Sequence, residues 1–353
     1  MGLVRLFLAL VVAGDHWRVF ELPSLSPHMD DRLKLGFNSG HAVLFFYVIS
    51  GFLITYTLSH NYSRDSSGVR KFYRQRFIRI FSLYWPMVLL SFVLIDGAWT
   101  RFLGGSLADK LTGLLLIGMD WNIAFSHYPD PNWGATITAL QQAWTLGAEL
   151  TFYILAPFLL RSWRIGLLVL AASFGTRAAI VMTLGTDLHD VWTYQFIATT
   201  FGFFLLGQLA CIASQKYHFL LRPHFWPVML LAAALAMTFG GSYVPFDGRR
   251  LWMSVSFFTL SLPGLFQATK RIRWMNAVGN LSYPVYLVHT LALLLFGEWL
   301  LRTIPATTVT EGYYSIALFL AVAVGVAAAV HYLFEVPLAR LMHAHWLRTE
   351  TKG

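Results

Sequence analysis

Charge is scarce in this sequence. Asp, Glu, Lys and Arg make up 12% of the 353 residues, while apolar residues make up 57%; a soluble domain carries about twice that charge. Cysteine is scarcer still, with Cys211 alone. One thiol excludes an intrachain disulfide framework and a Cys-rich metal site, and no metal is expected. No polar stretch between the apolar runs is long enough to fold by itself, so residues 1–353 read as a single membrane domain. Long apolar runs recur from end to end. The fold class expected is all-α, a polytopic helical bundle rather than a globular domain on one anchor. A net charge of +9 would suggest nucleic acid for a soluble protein. Here basic residues lining cytoplasmic loops explain it, and no nucleic-acid partner is expected.

About ten spanning helices are read, near 3–20, 41–59, 79–95, 143–160, 165–184, 193–213, 226–241, 251–268, 280–301 and 314–334. A further apolar piece, "LTGLLLIGMDWNI" at 111–123, is shorter than the ~20 residues a span needs. It suits a re-entrant or interfacial segment. Positive charge decides between the alternatives. With the N-terminus in the cytoplasm and 111–123 turning back, seventeen Lys and Arg fall inside and eight outside. If 111–123 crossed, the bias would reverse. Both termini are therefore expected in the cytoplasm, with the protein multi-pass in the inner membrane and 96–142 outside. A cleaved signal peptide at 1–20 is a poor alternative, because the small-residue cleavage site is weak.

Several polar residues sit where apolar ones are expected. Arg5 and His16 are eleven residues apart in the first span, so they share a helix face about 16 Å apart. Arg5 alone reads as a snorkelling anchor and His16 as a histidine satisfied by a neighbour. Together they suit a phosphorylated ligand held at the cytoplasmic mouth with its far end at His16. "YRQRFIRIFSLYWP" puts Arg76 and Arg79 at an i, i+3 spacing, which fits a fork for phosphates or contact with anionic lipid headgroups. Glu149 is a lone carboxylate in an apolar span, a site residue or the partner of an intramembrane cation. Tyr286 and His289 share a face of the ninth span. Trp121 and Trp133 stand near the outer side, as a sugar-binding surface or an interfacial aromatic belt. Asp15 adjoins His16 but points about 100° away.

These pieces, in this order, resemble the acyltransferase-3 family of integral membrane acyltransferases over nearly the whole chain. Arg5 and His16 match its basic-residue, ten-residue gap, histidine motif. "FFYVISGFLIT" is similar to its second helix, "RFIR" to its R-x-x-R, "WTLGAELTFYILAP" to its W-S-L-x-x-E segment with Thr145 for Ser, and "GNLSYPVYLVH" to its S-Y-x-I-Y-L-x-H segment. Ala42, Val43 and Leu44 replace the Gly-Val-Asp-like run before the paired phenylalanines, so no acidic group stands there. The chain ends soon after the tenth span, so a fused hydrolase-like domain is not expected.

The resemblance implies transfer of an acyl group, most often acetyl, from cytoplasmic acyl-CoA to a hydroxyl of a glycan or other envelope molecule. On that reading His16 and Glu149 are catalytic, and Arg5, Arg76 and Arg79 bind the donor. Tyr286, His289 and Trp133 contact the acceptor, and membrane lipids are the remaining partners. His16 would act as general base or as acyl-accepting nucleophile. A lipid or small secondary metabolite is the alternative acceptor. A transporter is the competing class, but no inverted repeat or matched pair of broken helices is present.

Overall fold

A computed structural model of the chain describes residues 1–21, 38–127, 140–185, 191–221, 225–239, 248–304 and 308–350. Among the described residues there is helix and no strand. Ten of the helices coincide with the ten expected spans: α1 (Gly2–Glu21), α2 (Ser39–His60), α3 (Ser66–Leu94), and, after three short helices, α7 (Trp144–Leu159). There follow α8 (Trp163–Leu184), α9 (Ile197–Lys216), α10 (Phe225–Phe239), α11 (Gly248–Thr269) and, after the short α12 (Arg273–Gly279), α13 (Ser282–Thr303) and α14 (Val309–Val330). A final helix, α15 (Val336–Glu350), packs back on α3.

Seven of these segments are long and apolar enough to cross a membrane by length and composition. The other three fall short for identifiable reasons. α1 carries Arg5, Asp15 and Arg18 within twenty residues, and α7 and α10 have 16 and 15 residues, roughly 23 Å against a ~30 Å hydrocarbon layer. α7 is extended at its start by the 3₁₀ turn Gln141–Ala143, and α10 packs along α11.

The piece at 111–123 does not continue as one helix. The short helices are α4 (Ala98–Gly104), α5 (Leu107–Leu115) and α6 (Met119–Asn122), and a left-handed turn through Leu116 (φ 65°) and Gly118 (φ 72°) separates the last two. The Trp85 indole donates to the Leu114 carbonyl at 3.0 Å. Asp109 accepts from Asn122 at 2.8 Å and contacts His127 at 2.6 Å, which pins α5 to the chain beyond α6. Burial raises the pKa of Asp109, but His127, Asn122 and Ser106 outweigh it and hold the carboxyl at about 2.

Cross-contacts group the helix ends as alternating spans require. The Met1 ammonium donates to Thr269 at the end of α11, and Tyr56 near the end of α2 packs on Phe266 of α11. Arg161 donates to the Arg64 carbonyl at 3.0 Å, and Trp346 of α15 lies against Phe77 and Arg74 of α3. At the other end Asp15 accepts from the Ser39 amide at 3.1 Å, and Asp120 accepts from the Ile197 amide at 3.1 Å. Met1 and Trp346 are thus on one side.

α2 is apolar all round and buried, as a central helix should be. It crosses α9 in backbone contact. A Cβ on Gly51 would lie 1.8 Å from the Phe204 carbonyl oxygen, and one on Gly207 would lie 2.0 Å from that of Val48. In a bilayer, where apolar burial does not drive helices together, such close approach supplies the packing. Gly51→Ala should therefore cost about 1–3 kcal/mol or more and lower the unfolding temperature in detergent. Gly175→Ala on α8, where a Cβ meets nothing within 4 Å, is the control and should leave that temperature unchanged.

Candidate active site

α1 runs unbroken from Gly2 to Glu21, so Arg5 and His16 keep their shared face. Its start is held close to α12: a Cβ on Gly279 would lie 2.2 Å from Gly2 Cα. At its other end Asp15 pairs with Arg18 at 2.7 Å and accepts from the Ser39 amide and hydroxyl at 3.1 and 2.5 Å. Asp15 therefore joins α1 to the start of α2 and faces away from His16.

His16 meets a second histidine. Its Nδ1 is 2.8 Å from Nε2 of His289, which is fully buried. The Nδ1 of His289 faces the Val285 carbonyl at 3.3 Å. A carbonyl only accepts, so that nitrogen carries a proton, and Nε2 of the neutral ring is the acceptor. His16 Nδ1 then donates across the 2.8 Å contact, which leaves the lone pair of His16 on Nε2. This assignment comes from the hydrogen-bond network. Two protonated rings are excluded, because they would set N–H against N–H.

Gln142 fixes the helix that carries His289. Buried in the turn before α7, it donates to the Leu287 carbonyl at 2.6 Å and accepts from Thr290 at 2.9 Å. Thr145 bonds the Tyr286 hydroxyl at 2.7 Å, and that hydroxyl also reaches the Gln142 carbonyl at 3.3 Å. A threonine thus does here what a serine hydroxyl could do.

From the Met1 side, a cavity of about 90 Å³ is lined by Arg5, Arg76, Arg79, Glu149, Tyr153 and Tyr283, among others. A second, of about 60 Å³, shares Arg5, Ser50, Leu146, Glu149 and Tyr283 with the first and continues to Tyr47, Thr145 and Tyr286. The two share a wall and form one narrow passage, with room for a thin chain of atoms but not for a nucleotide. It stops at Tyr286, whose ring centre is 5.8 Å from that of His289. Glu149 accepts from Ser50 at 2.7 Å and from Tyr153. Arg76 lies over the Tyr153 ring. Arg79 lies over Tyr283 and pairs with Glu335 at 2.7 Å, which in turn holds His331 at 2.6 Å. The Tyr47 hydroxyl is buried on this passage without a hydrogen-bond partner among the described residues.

A basic rim, a passage one chain wide and a histidine pair in the body of a membrane bundle suit transfer of a group carried on a long anionic handle. The acyltransferase-3 family model, described as "Acyltransferase domain", matches residues 1–331. The chain belongs to the acyltransferase-3 family. It is similar to Nodulation protein 10 of Rhizobium leguminosarum bv. viciae, with 29% identity over 82% of this chain and 82% of that protein. It is also similar to the acyltransferase MdmB of Streptomyces mycarofaciens, with 26% identity over 85% and 81%. No solved structure matches the chain significantly. The protein is a membrane acyltransferase.

Within this acyltransferase the fold brings together five of the residues singled out by pattern. Arg5, Arg76, Arg79 and Glu149 line one passage, and Tyr286 closes it. His16 and His289 meet beyond it. Glu149 is not grouped with Trp121. That tryptophan is half exposed, stacks on Phe125 and meets Phe196 edge-on, whereas Glu149 stands one and a half turns into α7, beside Arg5. Trp133 lies outside the described residues. The arginines of "YRQRFIRIFSLYWP" lie in a continuous helix, because the Asp65 side chain caps α3 at Gly68 and starts it thirteen residues before the apolar run.

Sequence reasoning missed Gln142, Ser50, Tyr47, Tyr153 and Glu335. Tyr47, Ser50 and Tyr153 stand inside segments that resemble the family but were not singled out there, and Gln142, in the 3₁₀ turn before α7, had no spacing to mark it. Glu335 did carry a signal, as a carboxylate at the edge of the tenth span. It lies in the π-turn His331–Glu335 between α14 and α15, just past the family match.

Proposed function

We propose that this protein transfers an acyl group, in the first instance acetyl, from cytoplasmic acyl-CoA to a hydroxyl of an envelope or secreted glycan. The observation that carries this reading is the passage from Arg5, Arg76 and Arg79 to Tyr286 beside the His16–His289 pair. The guanidinium rim suits the donor's phosphates, which take bidentate bonds from arginine. The passage suits the pantetheine arm, and the Tyr47 hydroxyl offers that arm a hydrogen bond. One relative, MdmB of Streptomyces mycarofaciens, is named as an acyltransferase, which agrees with the chemistry. The positive-inside bias supports putting the arginine rim and both termini in the cytoplasm of the inner membrane.

In the reaction, His16 Nε2 takes the proton of the acceptor hydroxyl as its oxygen attacks the thioester carbonyl. The new C–O bond forms, the C–S bond breaks, and the imidazolium returns the proton to the leaving thiolate. His289 accepts from His16 Nδ1 throughout, and so holds the tautomer that leaves Nε2 basic. Glu149 holds Ser50 and Tyr153 on the wall of the passage that it shares with Arg5. Glu335 keeps Arg79 along the wall.

Inverted membrane vesicles, which present the cytoplasmic face, should consume added acetyl-CoA and acylate endogenous glycans, read by mass spectrometry with and without the protein. Sealed right-side-out vesicles should not. Consumption only in right-side-out vesicles would overturn the orientation, and none in either would overturn the donor. In the same assay Glu149→Gln, which keeps shape but removes charge, should lower kcat by roughly tenfold or more. Normal turnover would make Glu149 a packing residue.

A further inference from the structure

A second basic cavity lies away from the passage. It has a volume of about 1010 Å³ and is bounded by α3, the α7–α8 turn and α15. Arg64, Arg70, Arg74 and Arg161 line it, with Asp65 as the one carboxylate among the lining residues. Asp65 is turned back on its own helix, where it accepts from Ser63, Ser67 and the Gly68 amide. Tyr73 and Trp346 add two amphipathic rings, with the Arg74 guanidinium 5.8 Å from the Trp346 ring centre. From this cavity we infer that the acyltransferase carries a dedicated site for the headgroup of an anionic phospholipid of the cytoplasmic leaflet.

Three observations favour a lipid over the soluble donor. The first is helical phase. Arg70, Arg74 and Phe77 follow one i, i+4, i+7 stripe of α3, and Phe72, Arg76 and Arg79 follow another, two residues or about 200° further round. The cavity and the passage share no lining residue. The second is the wall. Phe158 lines the cavity and is 61% exposed, and Ile154 and Leu155, a turn earlier on α7, are also exposed. Apolar side chains exposed along a spanning helix face acyl chains, so the cavity opens sideways to the bilayer. The third is level. The cavity sits at the turn joining α7 to α8 and at the protruding first turns of α3, where headgroup phosphates lie. Arginines there meet phosphodiesters, and Trp and Tyr settle at that boundary.

The test is native mass spectrometry of the full chain released from nanodiscs with equal phosphatidylglycerol and phosphatidylcholine. The wild type should retain phosphatidylglycerol by roughly tenfold or more over phosphatidylcholine. Arg70→Gln/Arg74→Gln/Arg161→Gln should bring the ratio close to parity, while the corresponding triple lysine variant, which keeps the charge, should preserve most of it. A glutamine variant that retains the full preference, or a wild type with none, would overturn the site. Displacement of the lipid by adenosine 3′,5′-bisphosphate, together with a raised KM for acetyl-CoA in the glutamine variant, would reassign the cavity to the donor nucleotide.

Discussion

His16→Ala is expected to lower acyl transfer by roughly 10²–10⁴-fold, the usual cost of losing a general base, while the protein still inserts and binds acyl-CoA. The expectation rests on the contact between His16 Nδ1 and His289 Nε2, which leaves a basic nitrogen on His16. The fall should be in kcat, because the base acts on the acceptor proton and not on the donor's phosphates. His289 should show its role by rescue. His289→Gln offers a carbonyl oxygen to the His16 N–H and should keep part of the rate, whereas His289→Leu, of comparable bulk, should lose nearly all of it. The measurement is transfer by purified protein in nanodiscs over a range of acetyl-CoA concentrations. Near-normal turnover by folded His16→Ala would leave the pair with a structural role only.

Loss of the arginine rim should appear in the other kinetic constant. The double variant Arg76→Ala/Arg79→Ala is expected to weaken acetyl-CoA by roughly 10²-fold, since each charge-assisted hydrogen bond to a phosphate contributes about 1.5–3 kcal/mol. Both side chains line the passage with Arg5, and both are oriented by partners: Arg76 by the Tyr153 ring, Arg79 by Tyr283 and Glu335. Lysine at both positions should retain part of the affinity, since the charge survives but the planar fork does not. Glu335→Gln should raise KM by less than Arg79→Ala does, because it frees the guanidinium without removing it. Calorimetric binding of desulfo-CoA, a donor analogue that does not turn over, separates these effects from chemistry. Unchanged affinity in the double variant would move the phosphate site elsewhere, with the lateral cavity at Arg70 and Arg74 the next place to look.

Much of the architecture was determined by the sequence alone. Apolar runs of spanning length each became a helix, because a segment in lipid must satisfy its backbone bonds internally and a helix does this without partners. That 111–123 is not one spanning helix was also readable, from its length, and the structure breaks it at Leu116 and Gly118. Arg5 and His16 had to share a face, since one continuous helix fixes the angle between residues eleven apart. The opposite direction of Asp15 followed from the same geometry.

What pairs across helices was decided only by the tertiary structure. His16 and His289 are 273 residues apart, and Arg79 and Glu335 are 256 apart; no periodicity within one helix relates such positions. Glu149 shows the limit most clearly. Its depth along α7 could be counted, and pointed to the outer side. Its partners could not, because the helix's rotation is set by where neighbours pack closely, as α2 does on α9 at Gly51 and Gly207. That packing turns Glu149 toward Ser50, Tyr153 and the wall it shares with Arg5. A one-dimensional pattern specifies depth and face within a helix, whereas the azimuth of each helix in the bundle comes from side-chain and backbone contacts summed over all its neighbours.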